Sequence, residues 1–227
     1  MKCIKKLIDV VSNHNWFAIF YFNFKMLPIK QAIYLPFDFY HKIRFESLNG
    51  KVVLNSDRLY RGMIKVGSAG SEMFPHQATI MIIDGELRFT GHCVIGVNSC
   101  CRCYKTGVIT FGEDVTIGAG NLIFCQKEIS FGDGFLSSWN CQYMDTDTHP
   151  IYEQTGLLAN SNASIVFGRH TWLGNNVCIN KGTCIPANTI VASHSLCNKN
   201  YTNEGEKVIL AGTPARGVKR NVTWNFE

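Results

Sequence analysis

The 227-residue sequence has no apolar run near the ~20 residues that a membrane-spanning helix requires. Its most apolar stretch, WFAIFYFNF at Trp16–Phe24, is less than half that length, which excludes a conventional transmembrane anchor. No small-residue cleavage site follows the basic start MKCIKKLIDV, so the expected setting is the reducing cytosol. The ten cysteines are scattered and read as free thiols. Their densest group, CCRC at Cys100, Cys101 and Cys103, has neither a second CxxC pair nor histidines at zinc-finger spacing, so no metal site is expected. An arginine-rich stripe and a base-stacking motif are also missing, which argues against nucleic acid.

What is present fits a globular protein: 46% of residues are hydrophobic, enough for one large domain or two small ones. The charge is uneven. Lys2, Lys5, Lys6, Lys25, Lys30, Lys42 and Arg44 face only Asp9 and Asp38 within residues 1–44, so the net +5 of the whole chain resides there. Two readings of this basic, aromatic segment stand. It rests on an anionic membrane surface, at the inner face of the membrane, or it is a cap packed on the rest of the fold.

The most informative pattern is a ruler of six. Phe167, Leu173, Ile179, Ile185, Val191 and Cys197 recur at that interval, each followed by a small or turn-forming residue as far as Ala192. Ile83, Phe89, Ile95 and Cys101 keep the interval, as do Phe111, Ile117 and Ile123, with insertions at about 102–110 and 124–130 resetting the phase. Neither a helix, with period 3.6, nor a plain strand, with period two, produces six. A hexapeptide β-helix does, with three hexapeptides closing a triangular coil of about 18 residues and stacked coils burying a common core. The fold expected is therefore all-β, a parallel β-helix in the form of a triangular prism. Residues 1–75 are read as an N-terminal extension and cap, 76–212 as the β-helix with a loop at 144–164, and 213–227 as a short tail.

The ruler fails between Tyr143 and Phe167, where YMDTDTHPIYEQTG places Asp145, Asp147 and His149 within five residues. A solvated turn is the plain reading of such residues. A histidine general base supported by a carboxylate is the alternative, and loops thrown out from rigid scaffolds are where such residues concentrate.

DTDTHP, TWLGNNVCINKG (Thr171–Gly182) and ILAGTPARGVKRN (Ile209–Asn221), in this order, resemble the left-handed β-helix, hexapeptide-repeat acyltransferases, in particular the sugar O-acetyltransferases of bacterial surface polysaccharide synthesis. The resemblance covers about residues 80–224. It implies a left-handed coil, a homotrimer with active sites between neighbouring prisms, and acetyl-coenzyme A as co-substrate along the coils. It makes His149 the general base for direct acetyl transfer to a sugar hydroxyl, with Asp147, preferred over Asp145, to orient it. It places Trp172, Asn175, Ser193, Lys199, Arg216 and Lys219 toward the coenzyme, the cations being suited to its phosphates. His194 stands where the family usually has glycine. Cys141 is read as structural, because an acyl-cysteine route does not match direct transfer.

Two other readings bear on function. A trimeric zinc carbonic anhydrase on the same fold needs three histidines at one metal, and His149 has no second histidine nearby in sequence. A non-catalytic scaffold, or an acyltransferase for a non-glycan small molecule, shares the prism without the sugar acceptor.

Overall fold

In a computed structural model the protein is described over residues 13–70, 72–74 and 77–225. Successive strands turn from one sheet to the next. Val115–Ile117 lies in the first sheet, Leu122–Cys125 in the second and Glu128–Phe131 in the third, and the next strand, Leu136–Ser137, returns to the first. Among the described residues the three sheets hold nine, seven and six strands, all parallel except for the last strand of the first sheet. This is the parallel β-helix that the ruler of six implies. All six residues of the best-kept run, Phe167 to Cys197, are buried, as are Ile83, Phe89, Ile95, Phe111, Ile117 and Ile123.

In-register stacking decides what fills the prism. Phe89, Phe111, Phe131 and Phe167 are partners on successive strands of the third sheet, and their rings form a ladder with centroids 4.7, 5.3 and 5.4 Å apart and planes within 15° of parallel. Offset stacking of this kind adds to the burial of each ring. Cys93, Cys101, Cys103, Cys125, Cys141 and Cys197 are buried free thiols that join the core as small hydrophobes. Cys101 keeps its interval from Ile95 but pairs with Met81; Ile83 pairs instead with Cys103. Coils here are longer than 18 residues because corners differ in length. The reset expected at 124–130 lies earlier: Cys125 and Phe131 keep the interval of six, while Ile117 and Cys125, both inward, are separated by the longer turn at 118–121.

From Phe89 onward, two of the three corners are tightly built. At one, Asn98, Asn140, Asn176 and His194 adopt positive φ; at the next, Asp114, Gly134, His170 and Asn188 do so. Asn, Asp and Gly tolerate that region best, so His194 holds a turn position that suits glycine. At the second corner a β-carbon on Gly132 would come within 2.7 Å of the backbone of Gly168, which explains the glycine there. The third corner, between the second and third sheets, varies in length and carries the longest insertion, residues 145–164.

The prism begins earlier than the boundary at 75–76 read from the sequence. Phe37–Phe39 pairs with Ile64–Val66 in the first sheet, Ile43–Leu48 with Thr79–Ile83 in the second, and Lys51–Leu54 with Glu86–Phe89 in the third. Long, unequal corners conceal these coils from the ruler. The stretch WFAIFYFNF opens helix α1, Trp16–Met26, capped by the Asn15 side chain at the amide of Ala18 (3.1 Å) and ended by extended Leu27 before Pro28. Phe22 packs on Phe37, Phe39 and Phe45, with ring centroids 4.7, 5.0 and 5.5 Å away, and closes the end of the core. Buried Asn23 bonds both the carbonyl (2.8 Å) and the amide (3.1 Å) of Phe37. At the other end, Val208–Gly212 and Ala215–Arg220 form an antiparallel hairpin. Met1 to Ser12, including Lys2, Lys5, Lys6 and Asp9 of the basic segment, lie outside the described residues.

Phe131 touches Phe111, Phe135, Tyr143 and Phe167, so Phe131→Ala leaves a void in the middle of the ladder. The expected loss is about 3–5 kcal/mol in urea unfolding, against under about 1.5 kcal/mol for Phe131→Leu if its volume is accommodated. Equal losses from the two variants would show that the ladder does not set the stability of the prism.

Candidate active site

The loop of residues 145–164 leaves the third corner after the strand Gln142–Met144 and returns at Ile165–Phe167. Asp145 anchors it. Its side chain is wholly buried, and its carboxylate accepts from the backbone amides of Gln126, Lys127 and Glu128, each at 2.7 Å, and from the Cys125 thiol at 3.4 Å. Three amides of the preceding coil thus converge on one anion, a nest closed by a side chain rather than a ligand. The Asp145 carbonyl accepts from Ala163 N at 3.1 Å, joining the two ends of the loop. The role foreseen for Asp145 as a support for His149 is therefore corrected: its oxygens are engaged inside the corner.

Asp147, by contrast, is exposed. Its Oδ2 accepts from Lys181 Nζ at 2.6 Å and Asn160 Nδ2 at 2.9 Å. The Lys181 bond, with Asn160 next, holds this carboxyl below the usual aspartate range. Asn160 also donates to the His149 carbonyl (2.9 Å) and accepts from Ile151 N (2.7 Å), so it fixes the backbone on either side of Pro150. Thr148, just before the histidine, has φ of +62°, a conformation that β-branched residues rarely adopt. The strained turn brings His149 to a cavity of about 260 Å³, lined also by Gln126, Asp147, Asn160 and Asn162. Among the described residues of this chain no side chain bonds either ring nitrogen of His149. Asp147, expected to orient this ring, instead has its Oδ2 engaged by Lys181 and Asn160.

Trp172, Asn175 and Ser193 lie elsewhere. Trp172 is on the first sheet, between Leu136 and Ile190 in register. Its ring lies 5.9 Å from that of Trp224, which stacks on His170 at 4.2 Å and donates to the His170 carbonyl at 3.1 Å. Asn175 and Ser193 fall on successive turns of the corner between the first and second sheets, linked by the bond from His194 N to the Asn175 carbonyl, 3.0 Å. Lys199 and Arg216 line one cavity of about 650 Å³ beside the terminal hairpin, with Thr213 and Val218. Lys219, also foreseen there, is not in its lining; it pairs in register with Ile209. Cys141 is buried, and burial pushes its thiol up to about 11, which removes it as a nucleophile near neutral pH.

Sequence reasoning missed Lys181, Asn160 and Gln126. Lys181 belongs to the coil after the loop, and only stacking brings it to Asp147. It is also one of a series at the third corner, where Lys51, Lys105, Lys127, Lys181 and Lys199 stand at or beside five different turns. Carboxylates nearby are engaged: Asp84 by Ser47, Glu86 by Arg88 and Glu128 by Ser164.

No family model matches the chain. A probable acetyltransferase of Mycobacterium tuberculosis is 28% identical over 193 residues, which are 82% of this chain and 58% of that protein. A polysialic acid O-acetyltransferase of Neisseria meningitidis is 30% identical over 134 residues, 58% of this chain and 59% of the relative. The crystal structure of the polySia-specific acetyltransferase NeuO matches with a TM-score of 0.60 at 19% identity, over 85% of this chain and 79% of that one. The chain is similar to bacterial proteins named as acetyltransferases. It spans just under three fifths of the length of the first two relatives. The structural likeness is one of fold: the parallel β-helix expected from the repeats, with the left hand that the motif resemblance implies.

The two aspartates should separate by stability. Asp145→Ala leaves three corner amides without their acceptor, and a loss of at least about 3 kcal/mol is expected in urea unfolding. Asp147→Ala, which opens an exposed ion pair, should cost no more than about 1 kcal/mol. Similar losses for both would refute the anchoring role of Asp145.

Proposed function

We propose that the protein is an acetyl-coenzyme A-dependent O-acetyltransferase acting on a sugar hydroxyl of a surface glycan. The observation that carries this reading is His149, presented by a strained turn into an open cavity with its ring nitrogens unengaged, in a chain related to acetyltransferases. A sugar hydroxyl is a poor nucleophile near neutral pH, and a neutral imidazole is well matched to removing its proton as the oxygen attacks. The new C–O bond forms at the thioester carbonyl, the C–S bond breaks, and the imidazolium returns its proton to the departing thiolate. Acetyl and proton are both accounted for without a covalent enzyme intermediate.

The coenzyme is a long anionic substrate. Lys199 and Arg216 are the cations proposed for its 3′-phosphate, because they share a cavity at the end of the prism. The lysines of the third corner support an acidic glycan as acceptor, in keeping with the polysialic acid O-acetyltransferase among the relatives. We also propose a homotrimer. His149 stands at one corner of the prism while Trp172, Asn175 and Ser193 stand on another corner and sheet, so a neighbouring copy is needed to bring them together. The exposed loop residues Ile151, Tyr152, Leu157 and Leu158 supply apolar surface for that contact. Among the described residues no helix is long and apolar enough to cross a membrane, and a cytoplasmic enzyme is the setting we favour.

His149→Ala should lower acetyl transfer about 10²- to 10⁴-fold in a thiol-release assay with glycan repeat units, with thermal stability unchanged. Activity within a few-fold of the parent would exclude His149 as the base. Arg216→Ala should weaken coenzyme A by about 1.5–3 kcal/mol in calorimetry and dephospho-coenzyme A much less. Equal losses for the two ligands would assign Arg216 to the hairpin alone.

A further inference from the structure

Helix α1 is apolar on both faces, and only one of them is used by the fold. Ala18, Ile19, Phe22 and Asn23 are buried against the prism. Phe17, Phe20, Tyr21 and Phe24 form a stripe on the opposite side at helical spacing, with Phe17 80% exposed and the others 45–49% exposed. The stripe continues past Pro28 into the short helix α2, Ile29–Ala32, and the turn after it, where Ile29, Ile33 and Tyr34 are 51–63% exposed. The rings are organised: Phe17 and Tyr21 stack with centroids 5.9 Å apart and planes 4° from parallel. So much contiguous aromatic surface on the outside of a folded protein marks a docking face.

Charge identifies the occupant. No aspartate or glutamate occurs from Asn13 to Phe37, and Asp38, the first beyond them, is buried and paired with His14 at 2.8 Å. Lys25 and Lys30 are exposed within the patch, and the Arg61 guanidinium lies over the Trp16 ring at 4.7 Å, beside the start of the helix. The sequence before the helix adds Lys2, Lys5 and Lys6 against Asp9. Large aromatics interleaved with lysines on a helix far too short to span are the makings of an interfacial segment. A second copy docked on the same face would bring these cations against their own kind.

We propose that this face, from Phe17 to Tyr34, docks on an anionic lipid bilayer, with the aromatic rings entering the interface and Lys25, Lys30 and Arg61 meeting lipid headgroups. Binding of this kind combines two terms. The electrostatic one is screened by salt, whereas aromatic insertion leaves a salt-resistant remainder. The proposal is independent of the acetyltransferase reading, since it concerns the other end of the molecule and is measured without turnover.

The test is cosedimentation of the full chain with vesicles of phosphatidylcholine alone or mixed with phosphatidylglycerol. Binding is expected to be much stronger to the mixed vesicles, falling as salt rises toward the weak remainder that aromatic insertion gives on phosphatidylcholine alone. Lys25→Gln and Lys30→Gln should each weaken binding about fivefold. Phe17→Ser combined with Phe24→Ser should remove the salt-resistant fraction while leaving the melting temperature unchanged, because both rings lie off the core. Failure of the parent chain to sediment with mixed vesicles at low salt would overturn the proposal. So would a change in oligomeric mass by light scattering for the Phe17/Phe24 variant with vesicle binding intact, an outcome that assigns the stripe to a second copy.

Discussion

Among the described residues, each strand inside the stack is satisfied by the coil before it and the coil after it, and that constraint governs the rest. Parallel partners must stay in register over successive turns, so inward positions are stacked on inward positions, as in the Phe89, Phe111, Phe131 and Phe167 ladder. Extra residues have one place to go. They are expelled at corners: the first coil lengthens two of them, between Leu54 and Ile64 and between Val66 and Thr79, whereas from Phe89 onward these two stay short, with turns at positive φ. The third corner is left to carry length, and it carries the loop with His149 and a lysine on five of its turns.

A loop of this size needs an anchor if it is to hold a side chain in position. Asp145 provides it by turning inward and gathering three amides of the preceding coil, so the loop starts from a fixed point on the prism. Asp147 and Lys181 then tie the loop to the coil that follows. The two carboxylates look alike in sequence, yet one is a structural anion with no access to solvent and the other is an exposed partner of a lysine. Environment separates them.

This is also where the sequence stopped being legible. The coils from Phe167 to Cys197 could be read without error because their corners are short and the ruler of six survives. Coils from Phe37 to Val66 could not, because corners of unequal length break the phase even though the inward residues are as apolar as elsewhere. His149 was legible as a motif in a gap, whereas the cavity beside it was not. The partition of Asp145 from Asp147 was not, since it depends on amides 17 to 19 positions away that carry no side-chain signature. Lys181 was hidden for the same reason. Within α1, the run of aromatics showed that the segment is apolar but not which rings the prism would take.

A stack of parallel coils has two ends, and each exposes an unpaired core and edge. Helix α1 closes one with Phe22 and Asn23, and the hairpin of Val208–Gly212 and Ala215–Arg220 closes the other. Both caps have surface to spare because each needs only one face to cover the prism. The hairpin spends its free side on the cavity that holds Arg216 and Lys199, and the helix leaves its second aromatic face outward. The proposed base, the proposed phosphate-binding cations and the proposed lipid-facing rings therefore fall where the repeat is interrupted or brought to an end: the loop, the terminal hairpin and the helix. The regular coils between them cannot vary without breaking register, and their part is to hold these three places at fixed positions on one rigid axis.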